Sequence, residues 1–322
     1  MKVWLIKKNT TTDITGLITS VTNSGEYRSC CRSLSFGIIH SDTDKRTWLV
    51  EINVGDNIKV EDEGKDIFHG VVFKKTKATG GKEIDFTCHD YGIYLKKNKG
   101  SYIFKNMKPE DIAKKVCGDF GVKVGSVAVT GVPVSRNFIG VDLYSIIMTS
   151  YTLANDEKYF CEFIGNRLYV KKKGEVECKP LTRGGNLLTS SVTESLEGMV
   201  NRVRVYNKDD KLIQEIGNEE DYIFGFMTEY IRVNDSKEDY RLKAKKMLQG
   251  VERKITVTNF GDHGYHTGKK VIVAEPYTRL KGVFYIDADQ HNWKNGIYTN
   301  KLTLNFQKIM DEKESGSDGQ RK

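Results

Sequence analysis

VGDNIKVEDEGKDIFHGVVF, Val54 to Phe73, decides the reading of this chain. A Gly55-Asp56 turn leads into a run in which Ile58 and Val60 alternate with Lys59 and Glu61, the period of two of a strand with one buried face. Asp62-Glu63-Gly64-Lys65-Asp66 supplies a polar turn, and Ile67 to Phe73 returns as the partner strand. The same order recurs later, as Thr267-Gly268-Lys269-Lys270-Val271-Ile272-Val273 followed by Leu280-Lys281-Gly282-Val283-Phe284-Tyr285-Ile286. Gly55 and Gly70 stand 15 positions apart, Gly268 and Gly282 14. Each hairpin is followed by an alternating third strand, Glu83 to Cys88 in the first copy and Lys301 to Phe306 in the second. Hairpins with a turn glycine are common, but this ordered recurrence indicates two similar small β-domains in one chain. Gly55, Asp56, Gly70, Gly268 and Gly282 are the residues expected to set hairpin geometry, with Ile58, Val60, Phe73, Val271 and Leu304 in the cores. Lys269 stands where the first copy has Asp56.

At 322 residues the chain exceeds a single core of about 100–200 residues, so two or three domains are expected. A hydrophobic content of 38% with only four prolines indicates a folded, soluble protein. No apolar run approaches the ~20 residues of a membrane span and no secretory pattern follows Met1, so folding in a cytoplasm is expected. The six cysteines (Cys30, Cys31, Cys88, Cys117, Cys161, Cys178) are scattered and, in a reducing compartment, read as packing residues. A net charge of +8, from 51 Lys and Arg against 43 Asp and Glu, tolerates an acidic partner but is mixed in sign. Lys96-Lys97-Asn98-Lys99 and Lys171-Lys172-Lys173 lie beside Gly100 and Gly174 and read as turn lysines; no nucleic-acid-binding motif accompanies them.

Taken in order, residues 1–100 read as the first β-domain, a small barrel or sandwich, with strands at Ile14 to Thr22 and Arg32 to Ile38 ahead of the hairpin. Residues 101–190 read as a small α+β middle domain. Lys108-Pro109-Glu110-Asp111 starts a helix whose stripe is Ile112, Val116 and Phe120, a second helix spans Val141 to Ala154, and a hairpin turns at Gly165-Asn166. Residues 191–310 read as the second β-barrel domain, with the strand Val200 to Tyr206 and a helix over 237–252, capped by Ser236, that packs across the barrel. Asp311 to Lys322 is charged and aperiodic, a disordered tail. The fold class expected is thus mainly β with an α+β insertion.

Catalytic chemistry is hard to find. Cys88-His89-Asp90 lies on a strand, where neighbouring side chains point to opposite faces and cannot act as nucleophile and base. His263 and His266 would share a metal only on a helix, and Gly261 and Gly264 argue for a loop. Gly80-Gly81 and Gly184-Gly185 read as turns, and no GxSxG, HExxH, P-loop or GxGxxG occurs. No catalytic, metal or cofactor-binding residue is assigned, and an enzyme is not the favoured reading.

Arg32-Ser33-Leu34-Ser35-Phe36, Val54 to Val60 and Ile67 to Val72 resemble the first tube-like domain of phage tail baseplate hub proteins of contractile tails, including the form found in defective prophages and phage-tail-like bacteriocins. The order of the later segments is similar as well, so the resemblance covers residues 14–306. It implies a virion structural protein: a homotrimer in which two barrels per chain alternate around a pseudo-sixfold ring, adapting a sixfold tail tube to a threefold spike. The implied partners are the tail spike, tail tube, tape-measure and baseplate wedge proteins, with DNA at most passing through the lumen; no cofactor is implied. Such a ring gives exposed sheet edges a partner. Within this reading the basic balance would suit a lumen tolerant of DNA or the tape-measure protein, with Lys96 and Lys97 as its test; two other classes stay open, a cell-wall-binding or muralytic tail component, since hubs sit beside peptidoglycan-degrading components, and a basic nucleic-acid-binding protein, motivated by the +8 charge.

Overall fold

The structure is a computed structural model that describes residues 1–40, 50–79, 83–233 and 240–318. Its chain opens with β1 (Lys2–Lys7), β2 (Thr10–Asp13), β3 (Ile18–Glu26), β4 (Ser33–Ile39), β5 (Asn57–Asp62), β6 (Lys65–Lys77) and β7 (Glu83–Asp90). A mixed stretch follows: α1 (Ile93–Lys97), β8 (Lys99–Met107), α2 (Pro109–Asp119), β9 (Lys123–Val127), β10 (Val134–Asp142), α3 (Leu143–Ala154), β11 (Tyr159–Ile164) and β12 (Arg167–Lys172). Then come β13 (Leu181–Thr182), β14 (Leu187–Ser195), β15 (Arg202–Tyr206), β16 (Leu212–Gly217), β17 (Thr228–Arg232) and α4 (Tyr240–Met247). The last strands are β18 (Glu252–Phe260), β19 (Lys270–Glu275), β20 (Leu280–Lys294), β21 (Ile297–Asn305) and β22 (Ser317–Asp318).

One thirteen-stranded sheet organises the molecule, in the order β14-β18-β21-β20-β3-β4-β7-β6-β5-β1-β2, with β19 paired to β20 and β13 to β19. The internal repeat is visible in it: β3-β4-β7-β6-β5 and β14-β18-β21-β20-β19 follow the same order. Gly55 donates its N–H to the Val72 carbonyl, and Val72 donates back to Asp56; Gly268 does the same with Ile286, which donates back to Lys269. Both glycines have positive φ, 97° and 88°, the conformation a Cβ opposes. Asp56 and Lys269 therefore contribute the same backbone carbonyl, and the exchange of their side chains leaves the hairpin intact. After Val72 and Ile286 each copy carries a bulge in the same place, so that Lys74 pairs with Thr87 and Ala288 with Thr303.

Several expectations are corrected. Among the described residues no sheet closes into a barrel; the two copies are joined edge to edge through β3 and β20 in an open sheet. Gly70 and Gly282 are not equivalent: Ile58 faces Gly70, whereas the matching Val271 faces Phe284 and Gly282 lies opposite Val273. Ile58, Val60, Val271 and Leu304 are buried, but Phe73 is exposed because it is the bulge residue. Ile14 precedes a 3-10 turn, Thr15–Leu17, in which the Asp13 carboxylate accepts the Thr15 N–H, so the strand begins at Ile18. Lys173 is a buried ion-pair partner of Asp287 with its ammonium 4.6 Å from the Tyr27 ring centre, not a turn lysine in solvent.

Two compact units emerge, Met1–Ser190 with Thr256–Lys322, and Ser191–Ile255. In the larger unit, α2, α3 and the sheets β22-β10-β8 and β11-β12-β9 enclose a core that includes Ile112, Val116, Phe138, Ile147 and Tyr151. The Asp142 carboxylate caps α3 by accepting from the Ser145 N–H. Residues 311–318, expected to be disordered, pack onto this region. Arg136 donates to the carbonyls of Glu314, Ser315 and Gly316 and pairs with Asp318, and the Tyr144 hydroxyl donates to Asp311. The smaller unit is a three-stranded sheet, β16-β15-β17, with Val203, Val205, Ile231 and Ala244 at its centre. Its helix packs on this sheet rather than across a barrel, and ends at Met247 because Gln249 exchanges backbone hydrogen bonds with Val200. The expected Ser236 cap, the residues before Tyr240 and the Gly80-Gly81 turn lie outside the described residues.

Candidate functional site

The seam between the two copies is the best-built polar region of the main sheet. β3 and β20 pair antiparallel from Ser20–Lys294 to Glu26–Ala288. Arg32, immediately before β4, crosses from the first copy to Asp289 of the second, and both of its terminal nitrogens reach the carboxylate. Asp289 also accepts from the backbone and hydroxyl of Thr267 and lies 3.2 Å from His291 Nε2. Burial opposes its charge, but the Arg32 guanidinium prevails and holds the carboxyl well below the usual range. His266 Nδ1 lies 3.3 Å from Arg32 Nη1, and burial together with that guanidinium keeps the imidazole neutral far below its ordinary range.

His266, Asp289 and His291 bring three potential ligand atoms within 4.8 Å of one another. The cation facing Asp289 is already present as Arg32, so the cluster reads as a closed ion-pair network. His263 extends this cluster, since the Tyr298 hydroxyl that it meets also lies 2.6 Å from His291 Nδ1. Its ring joins the Tyr298 hydroxyl at 3.1 Å and Asp62 at 3.1 Å, and Trp293 Nε1 donates to the same Asp62 carboxylate. Asp62 is the last residue of β5, so the tip of the organising hairpin docks onto the second copy. The segment from Gly261 to Lys269 is a loop, as its glycines suggested.

Of the residues singled out in sequence, Gly55 and Gly268 hold equivalent turns. A Cβ on Gly70 would stand 2.2 Å from the His89 carbonyl oxygen and 2.7 Å from the Phe68 ring; one on Gly282 would meet nothing, but the backbone there has φ 130°. Gly268 also lies under the Phe160 ring. Cys88 is buried in the first core with its thiol pushed up to about 12, His89 faces the other way toward the Ser33 hydroxyl, and Asp90 accepts from the Arg32 and Gly92 amides. All six cysteines are free thiols. Sequence reasoning missed Arg32, Asp289, His291 and Lys173 as partners; separations such as the 257 residues between Arg32 and Asp289 leave no local signal.

Two strand edges complete the surface. β5 covers β6 only as far as Val71, so Lys74 to Thr76 pair with β7 and have no strand on their other side among the described residues. In the second copy the matching part of β20 has β21 on one side and β3 on the other. β14, the counterpart of β3, stands at the end of the sheet path.

The fold is shared with known tail proteins. The 43 kDa tail protein of prophage MuSo2 from Shewanella oneidensis superimposes with a TM-score of 0.74 over 94% of this chain and 96% of its own, at 12% identity. The E. coli c3393 protein, described as a component of the type VI secretion system with structural similarity to T4 tail proteins gp27 and gp5, gives 0.54 over 94% and 75% at 9% identity. In Bacillus subtilis (strain 168), phage-like element PBSX protein XkdQ is 24% identical over 91% of this chain and 94% of its own. The uncharacterized protein YqbQ of the same strain is 24% identical over 87% and 89%. With a family model matching residues 21–305, the chain belongs to the YQBQ-like family.

Proposed function

We propose that this protein is the structural hub of a contractile phage tail or tail-like particle, a homotrimer whose three chains present six quasi-equivalent tube-type units between a sixfold tube and a threefold spike. The observation that carries the reading is the repeat: two copies with one strand order and one bulge, joined through β3 and the far half of β20. That join is heterologous, one copy's edge against a different edge of the next, and such a contact closes a ring when its rotation divides the circle. Continued between chains, it brings β14 of one protomer against Lys74 to Thr76 of β6 in its neighbour, the two edges left over within the chain. The tail proteins that share the fold, and the type VI secretion component likened to gp27 and gp5, support a place in the tail baseplate. The partners are then the spike, tube, tape-measure and baseplate wedge proteins, and the role is assembly, without catalysis.

Light scattering on a size-exclusion column, across a range of concentrations, tests this. Three chains of 36.6 kDa form a species of about 110 kDa, with a central hole in negative-stain images. A monomer at every concentration, including after mixing with a purified spike protein of the same particle, removes the hub reading.

A further inference from the structure

Lys173, Asp287 and Asn305 meet at the bulge of β20. Lys173 follows β12, and its position is fixed by the backbone: its N–H donates to the Lys158 carbonyl at 2.7 Å, and the next N–H, of Gly174, donates to the Gly268 carbonyl of the second copy at 2.7 Å. Its side chain is fully buried, with Nζ donating to Asp287 Oδ1 and the Tyr27 ring centre 4.6 Å away. The other carboxylate oxygen, Asp287 Oδ2, accepts from Asn305 Nδ2 at 3.0 Å. Asn305 Oδ1 in turn accepts from the Gln307 N–H at 2.9 Å, so the partners at both ends fix which way the carboxamide points. One buried carboxylate thus carries an amine on one oxygen and a carboxamide on the other, and the carboxamide oxygen already faces a backbone donor.

Burial lowers the Lys173 pKa, and passing one proton to Asp287 turns a costly buried ion pair into an uncharged amine beside an uncharged acid. We propose that Lys173 and Asn305 become joined within the folded chain by an isopeptide bond, with Asp287 as the acid–base group. Lys173 Nζ attacks Asn305 Cγ, and the negative charge that gathers on Oδ1 is met by the Gln307 N–H. Asp287 gives its proton to Nδ2 and takes one from Nζ; the Cγ–Nδ2 bond breaks and ammonia leaves. Nothing is oxidised or reduced, and the proton that began on the ammonium ends on Asp287. Amines and carboxamides exchange slowly as separate molecules, but aligned groups held together gain an effective concentration of about 10⁵ M or more. The step needs the folded site, so freshly folded chain carries the ion pair and the linked form accumulates afterwards. The new bond ties the segment after β12 to the end of β21.

Intact mass spectrometry of the full-length protein, denatured after a long incubation in the folded state at neutral pH, reads the reaction. Wild type should fall short of its sequence mass by about 17 Da, one ammonia, and a protease digest should contain a branched peptide joining the segments around Lys173 and Asn305. Asn305→Ala leaves the Lys173–Asp287 pair in place and should stay at its sequence mass. In Asp287→Ala protein that keeps its far-ultraviolet circular dichroism, the linked fraction at equal times should be at least about tenfold lower. Wild type at full sequence mass overturns the inference, and so does a loss of the same size without the branched peptide, the mark of ring closure at a site such as Asn295-Gly296. A branched peptide in Asn305→Ala overturns it as well, and an undiminished linked fraction in Asp287→Ala removes Asp287 from the step. The wild-type reading holds whether or not either variant folds.

Discussion

Asp287 stands at the bulge of the second copy where Phe73 stands in the first, and the two meet opposite surroundings: Asp287 is buried against Lys173 and Asn305, Phe73 is exposed. Lys173 is fully buried, and burial lowers its pKa while Asp287 works to keep it charged. Removing one member leaves the other charge stranded in the interior. Asp287→Asn or Lys173→Met should each cost about 3–5 kcal/mol, measured by urea denaturation. The double substitution Lys173→Met/Asp287→Leu should recover much of that, because an apolar pair strands no charge. A double variant as unstable as the sum of the singles would contradict this account.

Gly70 and Gly282 should fail for different reasons. Gly70→Ala forces a methyl against the His89 carbonyl, 2.2 Å away, and β6 must separate from β7. The expected signature is loss of amide protection across the β6–β7 pairing, and Gly70→Val should not fold. Gly282 has open space but φ 130°, so Gly282→Ala should cost about 1–3 kcal/mol of backbone strain with the β19–β20 amides still protected. Matching protection losses in the two variants would show that the glycines are equivalent after all.

The period-two alternation of Val54 to Phe73 and its later counterpart revealed strands and their repetition, because alternation follows from the pleat and is written locally. The bulge was not legible: Phe73 continues the apolar run of Val71 and Val72, and nothing in the text says that one residue has been looped out. The same bulge sits in both copies, so it cannot explain the spacing of 15 against 14. That spacing matched Gly70 to Gly282, whereas the hydrogen-bond register matches Gly70 to Phe284. The seam was invisible for another reason: Arg32, His266, Asp289 and His291 are brought together by pairing β3 with β20, which no local periodicity encodes. The order at 311–318 is not legible locally because it comes from Arg136, which supplies the donors that the aperiodic segment cannot provide for itself.

The seam predicts acid sensitivity of defined sign. Burial depresses the pKa of His69, His263 and His266 below the ordinary 6.5, most strongly for His266, which also faces Arg32. As pH falls below about 6.5 the unfolded chain takes up protons that the folded chain refuses, so stability declines, at up to about 1.4 kcal/mol per pH unit for each histidine. Asp90 acts in the opposite sense: burial raises its carboxyl to about 6, so the folded state gains a proton below that point and offsets one histidine. Asp289 keeps its charge through this window and loses its contribution only in stronger acid. Urea midpoints between pH 7.5 and 5.5 should therefore fall, and His266→Gln should flatten the slope by about one proton. An unchanged slope in that variant would exclude His266 as the group refusing the proton.

Assembly should leave a localised mark on the two strand edges. If chains join as the copies do within one chain, the outward backbone of β14 and of Lys74 to Thr76 gains hydrogen bonds only in the ring. Hydrogen exchange in the trimer, compared with protein diluted to monomer, should slow at 187–195 and at 74–76 while the core strands β4 and β7 exchange alike in both. Exchange is the informative measurement because it separates strand addition from contact through side chains, which protects far fewer amides. Slowing confined to the α2 and α3 region would mean that a trimer forms through another surface, and the internal join of β3 with β20 would no longer be the template for the contact between chains.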